Sequence, residues 1–273
     1  MNLENYFISR FEGHHIGDDG ALIGDFVYSK DAFFENVHFK SVWMSYYQIA
    51  YKAMTVNISD AVAMNAKPLY ALLSVAMPKS MTKKSMRELA EGFKDAASKY
   101  GVEIIGGDTI SNTKLDITVT IVSKVNAYPL MRKGLRDGYL LAYSGELGKS
   151  AKELKKLANL GKIHKKSKFV NIELREKFIS DTARFLGCGM DISDGIYSDL
   201  EKFSSVNSLG FKFMLNLPKS VGCSGEEYEM LFAFDKRYKK SILRRAKLSR
   251  TPITIFAKSV RNRYKNKCKA HHF

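Results

Sequence analysis

Cysteine is scarce in this sequence, and no apolar run reaches the length of a membrane span. The three cysteines, Cys188, Cys223 and Cys268, are odd in number and far apart, which argues against a zinc site or a disulfide framework. The N-terminal residues MNLENYFISRFEG lack the basic start and apolar middle of a secretory signal peptide. We therefore expect a cytoplasmic protein with reduced thiols and no membrane association.

Acidic residues are absent between Lys236 and Lys269, where fourteen lysines and arginines occur. The formal net charge of +16 is compatible with nucleic acid as a partner, with anionic substrates, or simply with a lysine-rich proteome. However, neither this stretch nor the lysine-rich segment 149–168 contains a recognisable nucleic-acid-binding module or a stacking array of aromatic residues. We interpret both as solvated lysine faces and do not expect nucleic acid as a partner.

The remaining sequence alternates between helical and strand patterns. Residues 43–65 and 82–100 carry apolar residues at helical spacing, and residues 114–125 alternate apolar and polar residues as a half-buried strand does. A further short strand over 102–105 is expected to stop at Gly106-Gly107. The pattern predicts an α+β (mixed α/β) fold with an N-terminal domain over 1–137 and a smaller C-terminal domain over 138–273.

The segment MDISDGIYSDL at 190–200 places two carboxylates three residues apart, ahead of an amphipathic helix. Asp191 and Asp194 fit simple helix caps. A helix N-terminus also attracts phosphate groups, and hard cations between the phosphate and the carboxylates would remove their mutual repulsion.

Similar acids recur along the chain beside glycine, serine or threonine. Asp18-Asp19, Asp31 and Asp108 lie at predicted strand ends or turns, and Asp60 interrupts an otherwise apolar helix. Each alone fits a cap or a turn. Together they predict a phosphoryl-transfer site with several metal ions, because Mg2+ binds one or two carboxylates together with water and phosphate oxygens.

The segment SGELGKS at 144–150 contains the Gly-Lys-Ser end of a phosphate-binding loop. Such a loop requires a glycine five residues before its Gly-Lys-Ser, and Tyr143 stands there. We therefore predict a glycine-rich turn from strand to helix instead of a phosphate-binding loop.

In their order, the motifs resemble those of the thiamine-monophosphate kinase family, in the superfamily of aminoimidazole ribonucleotide synthetase and selenophosphate synthetase. The resemblance covers most of residues 1–234. The matching segments are IGDDGAL (16–22), SKDAFFENVHF (29–39), AYKAMTVNISDAVAMNAKP (50–68), IIGGDT (104–109), SGELGKS (144–150), MDISDGIYSDL (190–200) and SGEEYEMLF (224–232).

The resemblance implies direct in-line transfer of the ATP γ-phosphoryl group to thiamine monophosphate, with several Mg2+ ions, in a homodimer whose N-terminal sheets pair into a barrel. It implies that Asp31, Asp60, Asp108 and Asp194 are catalytic. The implied metal ligands are Asp19, Ser29, Asp31, Asp60, Asp108, Asp191 and Asp194. The implied ATP contacts are Gly107, Asp108, Arg132 and Ser193, and the implied thiamine monophosphate contacts are His38, Glu226 and Phe273.

Three features depart from the family pattern. Lys30 replaces a threonine near the metals, where its ammonium is expected to meet a phosphate, Glu227 replaces an aspartate, and the C-terminal domain is reduced. The alternatives are another ATP-using member of the superfamily with a different small substrate, or a non-catalytic relative that binds nucleotide or nucleic acid.

Overall fold

The computed structural model describes residues 3–11 and 13–269, and no helix in that part of the chain is long and apolar enough to span a bilayer. Its strands form two five-stranded sheets. The elements of the first half are α1 (Leu3–Ile8), β1 (Ala21–Ile23), β2 (Phe26–Phe34), α2 (Tyr46–Ala63), β3 (Ala66–Pro78), α3 (Lys83–Tyr100), β4 (Glu103–Asn112) and β5 (Asp116–Val125). Those of the second half are β6 (Leu140–Ser144), α4 (Lys149–Ala158), α5 (Glu176–Thr182), β7 (Cys188–Asp191), α6 (Ile196–Asn207), β8 (Gly210–Phe213), α7 (Lys219–Gly222), β9 (Met230–Phe234), α8 (Lys239–Leu248) and β10 (Ile253–Val260).

The first sheet has the order β1-β2-β5-β3-β4 and is mixed, since β3 and β4 are parallel and the other pairs antiparallel. In β5 the alternation predicted from the sequence is confirmed, because Ile117, Val119 and Ile121 are fully buried. Helix α2 packs on this face of the sheet, and α3 packs on α2. The mixed α/β class predicted from the sequence is therefore confirmed.

The two long helices begin at the residue types that favour helix starts. Ser45 caps α2 and exchanges hydrogen bonds with Gln48 in a capping box, and Thr82 caps α3. Helix α2 is buried along most of its length, including its polar residues. A helix of this kind lies inside the molecule and brings polar side chains to buried positions.

The prediction that a strand stops at Gly106-Gly107 is wrong. Strand β4 continues through both glycines to Asn112, beside β3. A Cβ atom at Gly107 would lie 1.7 Å from the carbonyl oxygen of Leu73, so glycine here permits a close approach of two strands instead of a turn. Asp108 consequently lies within β4 and not at a strand end. Asp31 also lies within a strand, because β2 continues to Phe34.

The second sheet is antiparallel throughout, in the order β7-β9-β6-β10-β8. Helix α2 of the first half contacts β7 of the second. The largest apolar cluster joins side chains of both halves, such as Ile49 of α2 and Phe232 of β9. The functional residues of the two halves therefore meet along α2.

The prediction of three reduced cysteines is wrong for two of them. Cys223 and Cys268 form a disulfide with their Cα atoms 5.6 Å apart, while Cys188 is free and buried. After β10 the chain returns along α6, where the Tyr264 hydroxyl donates to the carbonyl oxygen of Tyr197 at 2.8 Å. This return path, which the sequence spacing does not show, brings the two cysteines together.

Candidate functional site

An acidic cluster, formed by Asp19, Asp31, Asp60 and Asp191, lies where α2 meets the end of β7. The Ser59 hydroxyl donates to Oδ2 of Asp191 at 2.6 Å, and both side chains are buried. Asp60, the next residue of α2, is only 9% exposed. Two segments 132 residues apart in sequence are thus joined by one charge-assisted hydrogen bond.

Three carboxylates of this cluster, Asp31, Asp60 and Asp191, have raised pKa values. Burial raises the pKa of Asp60 well above its usual range, and the charges of Asp31, Asp191 and Asp19 raise it further. For Asp191 burial is again the main cause, Asp19 adds to it, and the hydrogen bond from Ser59 opposes it. Desolvation and then the charges of Asp19 and Glu226 raise the pKa of Asp31 to about 6, although part of its side chain is open to screening by solvent.

Strand β2 is fixed against α2 beside this cluster. The side-chain oxygen of Asn57 accepts a hydrogen bond from the backbone N–H of Asp31 at 2.8 Å, and the backbone carbonyl oxygen of Asn57 accepts one from the Ser29 hydroxyl at 3.4 Å. Asn57 therefore positions both residues.

Two cations border the cluster. The Arg132 guanidinium pairs with Asp19, and its backbone N–H donates to Oδ1 of Asp18 at 2.6 Å. Lys202 lies between Asp194, at 2.7 Å, and the fully buried Asp199, at 3.0 Å.

The sequence analysis did not identify Lys202 or Asp199 as candidates. Their three-residue spacing on α6 was the available signal, because it places opposite charges on one helix face. Neither Asp191 nor Asp194 is the helix cap considered above, since α6 is capped by Gly195 with a φ of 91°.

The donor chemistry of the cluster fits Mg2+, which prefers carboxylate oxygens. Among residues 3–11 and 13–269, no group of three His, Cys, Asp or Glu side chains is arranged to hold a metal ion by itself. Mg2+ needs only one or two carboxylates when water and phosphate oxygens complete its shell. Burial and the charges of nearby carboxylates raise the pKa values of Asp31, Asp60 and Asp191, and a bound cation would favour the ionised forms of these groups.

In a second acidic segment, residues 224–229, each glutamate pairs with at least one cation, and Lys168 contacts both Glu227 and Glu229. Glu226 pairs with Lys52 at 2.7 Å, and Glu227 pairs with Lys168 at 2.8 Å. Glu229 receives two hydrogen bonds of 2.9 Å from Arg175. The segment is held by ion pairs on several sides.

Glu227 also occupies the start of α4. Its Oε1 accepts hydrogen bonds from the backbone N–H groups of Gly148, at 2.8 Å, and Ser150, at 3.1 Å. A carboxylate therefore fills the position that a phosphate would take at this helix N-terminus. This agrees with the interpretation of SGELGKS as a turn from strand to helix.

His38 packs against the end of β2. Its Nδ1 accepts the backbone N–H of Phe34 at 3.0 Å, which places the proton of the neutral ring on Nε2. Its ring stacks on Phe33 with centroids 5.6 Å apart.

Some predicted site residues lie away from the acidic cluster, and one lies outside the described residues. Gly107 and Asp108 are exposed on β4, three strands away from β2 and thus about 14 Å from it. Ser193 accepts the backbone N–H of Glu226 at 2.7 Å through its carbonyl oxygen, and Phe273 lies outside the described residues.

Lys30 does not face the acidic cluster. Its ammonium donates to the hydroxyls of Thr118 at 3.1 Å and Thr120 at 3.2 Å, on the sheet face opposite α2. A contact between Lys30 and a phosphate stays a prediction, with the side chain on the other face of the sheet from the acidic cluster. Alternation along β2 explains this, because Ser29 and Asp31 point to one face and Lys30 to the other.

Comparisons with known proteins show which family this sequence is similar to. Residues 17–125 match the model of the AIR synthase related protein N-terminal domain. The chain is 36% identical over 143 residues to thiamine-monophosphate kinase of Bacillus subtilis, a match that spans 50% of this chain and only 44% of that protein. It is 31% identical over 263 residues to thiamine-monophosphate kinase of Buchnera aphidicola subsp. Schizaphis graminum, covering 83% of this chain and 78% of that protein.

The fold also matches a solved structure. AaThiL complexed with AMPPCP and TMP superposes with a TM-score of 0.87, covering 99% of this chain and 96% of that one at 22% sequence identity. This likeness shows the shared fold, and the match with the Buchnera protein shows the sequence relationship. The chain belongs to the thiamine-monophosphate kinase family.

Proposed function

We propose that this protein transfers the γ-phosphoryl group of ATP to thiamine monophosphate and forms thiamine diphosphate. The observation that carries the proposal is the acidic cluster of Asp19, Asp31, Asp60 and Asp191, two of which, Asp60 and Asp191, are buried, in a chain related to kinases of thiamine monophosphate. The fold match to a protein complexed with AMPPCP and TMP supports the same pair of substrates.

The acidic cluster would hold several Mg2+ ions through Asp19, Ser29, Asp31, Asp60, Asp191 and Asp194. The ions would neutralise phosphate charge and align the transferred group, which is most of the catalysis that in-line phosphoryl transfer requires.

The neighbours of the cluster hold its carboxylates in place. Ser59 donates to Asp191 and so favours the ionised form of that carboxylate. Arg132 orients Asp19, and Lys202 orients Asp194. These contacts fix the side chains before substrate arrives, so less ordering remains for the bound state.

We assign the acceptor substrate to the side of the cluster where His38 and Glu226 lie. The thiazolium ring of thiamine is cationic, and the carboxylate of Glu226 supplies the complementary charge. The partly exposed side chain of Glu226 is 24% accessible, which suits a contact residue. Gly107, Asp108, Arg132 and Ser193 are assigned to ATP by their match to the family motifs.

A homodimer is part of the proposal. Strand β4 is an edge strand of the first sheet, and Leu72 of β3 and Ile105 and Ile110 of β4 are exposed by 40%, 51% and 58%. An open sheet edge with apolar side chains is suited to pairing with a second chain. In such a dimer, β4 with Gly107 and Asp108 would lie beside the interface.

ADP release from ATP and Mg2+ tests the proposed function, measured with thiamine monophosphate, with a panel of other small acceptors and with no acceptor. Release that depends on thiamine monophosphate supports the proposal. Release with another acceptor alone would assign the chain to a different activity of the superfamily. Absence of any ATP turnover by well-folded protein would favour a non-catalytic relative.

A further inference from the structure

Lys52 is a fully buried lysine that has no role in the proposed reaction as described so far. It lies on α2, on the same helix as Ser59 and Asp60, and has no exposed surface. Its ammonium forms an ion pair of 2.7 Å with Glu226 of the second half. Burying an ammonium group costs desolvation free energy, and an ion pair with a carboxylate at this distance offsets part of that cost.

Aromatic rings enclose the rest of the ammonium. Its nitrogen lies 3.5 Å from the ring centroid of Phe169 and 5.9 Å from that of Phe33. Phe33 in turn stacks on His38. Lys52 therefore contacts Glu226 directly and reaches His38 through one ring, and these two residues are the ones assigned to the acceptor substrate.

Glu226 sits in a backbone conformation that needs support. Its φ is 58° and that of Tyr228 is 50°, both in the left-handed region that non-glycine residues seldom adopt. The Tyr228 hydroxyl donates to Oε1 of Glu226 at 3.2 Å, while Lys52 pairs with Oε2. The carboxylate is thus held from two sides, one of them by the other half of the molecule.

We propose that Lys52 is a positioning residue for the acceptor substrate, which fixes the Glu226 carboxylate and aligns it with His38 across the two halves of the protein. The inference rests on the proposed function. Because its ammonium is enclosed, Lys52 acts on the substrate through Glu226 and does not touch it. Removing its charge releases the carboxylate from α2 and leaves the ATP contacts in place.

The test compares Lys52→Met, Lys52→Arg and Glu226→Gln with the double variant carrying Lys52→Met and Glu226→Gln. Steady-state constants for each substrate are measured on folded protein, together with calorimetric binding of thiamine monophosphate. We expect Lys52→Met to raise the KM for thiamine monophosphate by about tenfold or more, with little change in the KM for ATP. Lys52→Arg retains a cation and is expected to recover part of the loss.

The double variant distinguishes positioning from an independent effect. If Lys52 acts through Glu226, the double variant is no worse than Glu226→Gln alone. It also lacks an unpaired buried carboxylate, so it remains informative if Lys52→Met is unstable. Lys168→Met is the matched control, because Lys168 pairs with Glu227 and Glu229 of the same segment.

The outcomes separate this inference from the proposed function. Inactive wild-type protein that fails to bind thiamine monophosphate contradicts the proposed function. Active wild-type protein with an unchanged KM in Lys52→Met, additive losses in the double variant, or equal KM changes in Lys168→Met overturns the role of Lys52.

Discussion

Replacing Asp60 with asparagine separates stability from activity. The substitution keeps the size of the side chain and removes one buried negative charge. Burial and the neighbouring charges of Asp31, Asp191 and Asp19 raise the pKa of Asp60, so its ionised form is unfavourable in the metal-free protein. We therefore expect metal-free Asp60→Asn to be more stable than the wild type by about 1–3 kcal/mol near neutral pH.

The pH dependence follows from the direction of that shift. Because the folded-state pKa of Asp60 lies above its usual value of 3.8, folded protein binds more protons than unfolded protein over that interval. The contribution of Asp60 to stability is thus full below pH 3.8 and is lost as pH rises through the folded-state pKa. The advantage of Asp60→Asn is expected to grow with rising pH.

Thermal unfolding in chelator, from about pH 4.5 to about pH 8, measures this difference. For a chain of this size each kcal/mol corresponds to about 2–4 °C in Tm. Added Mg2+ is expected to raise the Tm of the wild type more than that of the variant, and turnover by the variant is expected to be lost. A less stable variant at neutral pH, or one with near-normal turnover, would refute the reasoning.

Three further predictions concern single contacts. Ser59→Ala removes the hydrogen bond that lowers the pKa of Asp191, so the acidic limb of the kcat/KM profile is expected to move to higher pH, with a loss of about tenfold or more; an unmoved limb would contradict this. His38→Ala is expected to raise the KM for thiamine monophosphate and leave ATP binding unchanged, and equal changes for both substrates would argue against its assignment. Cys268→Ser opens a disulfide that links residues 45 apart, and chain entropy gives a loss of up to about 4 kcal/mol in denaturant unfolding. Wild type treated with reductant is its matched control, and equal stability of oxidised and reduced protein would contradict the estimate.

Local patterns in the sequence were sufficient for the long helices and the central strand. Helical spacing identified α2 and α3, and alternation identified β5. The polar group around Asp60 in an apolar helix indicated a special position. Helix α2 is buried, its Ser59 donates to Asp191 of the second half, and its Asn57 binds β2.

Features set by distant contacts were not visible in the sequence. Gly106-Gly107 has the composition of a turn, but the close approach of Leu73 determines its conformation. The partner of Cys223 depends on the path of the chain after β10. Lys52 fits the solvated charge of an ordinary helix, and only its burial against Phe169 and Glu226 shows otherwise.

Chromatography of thiamine diphosphate tests the central claim most directly. Purified wild type and Asp60→Asn are incubated side by side with ATP and thiamine monophosphate, with Mg2+ or with chelator. The account predicts product only from the wild type with Mg2+. Product formed in chelator, or equal product from Asp60→Asn with Mg2+, would contradict the assignment of the acidic cluster as the metal-dependent phosphoryl-transfer site.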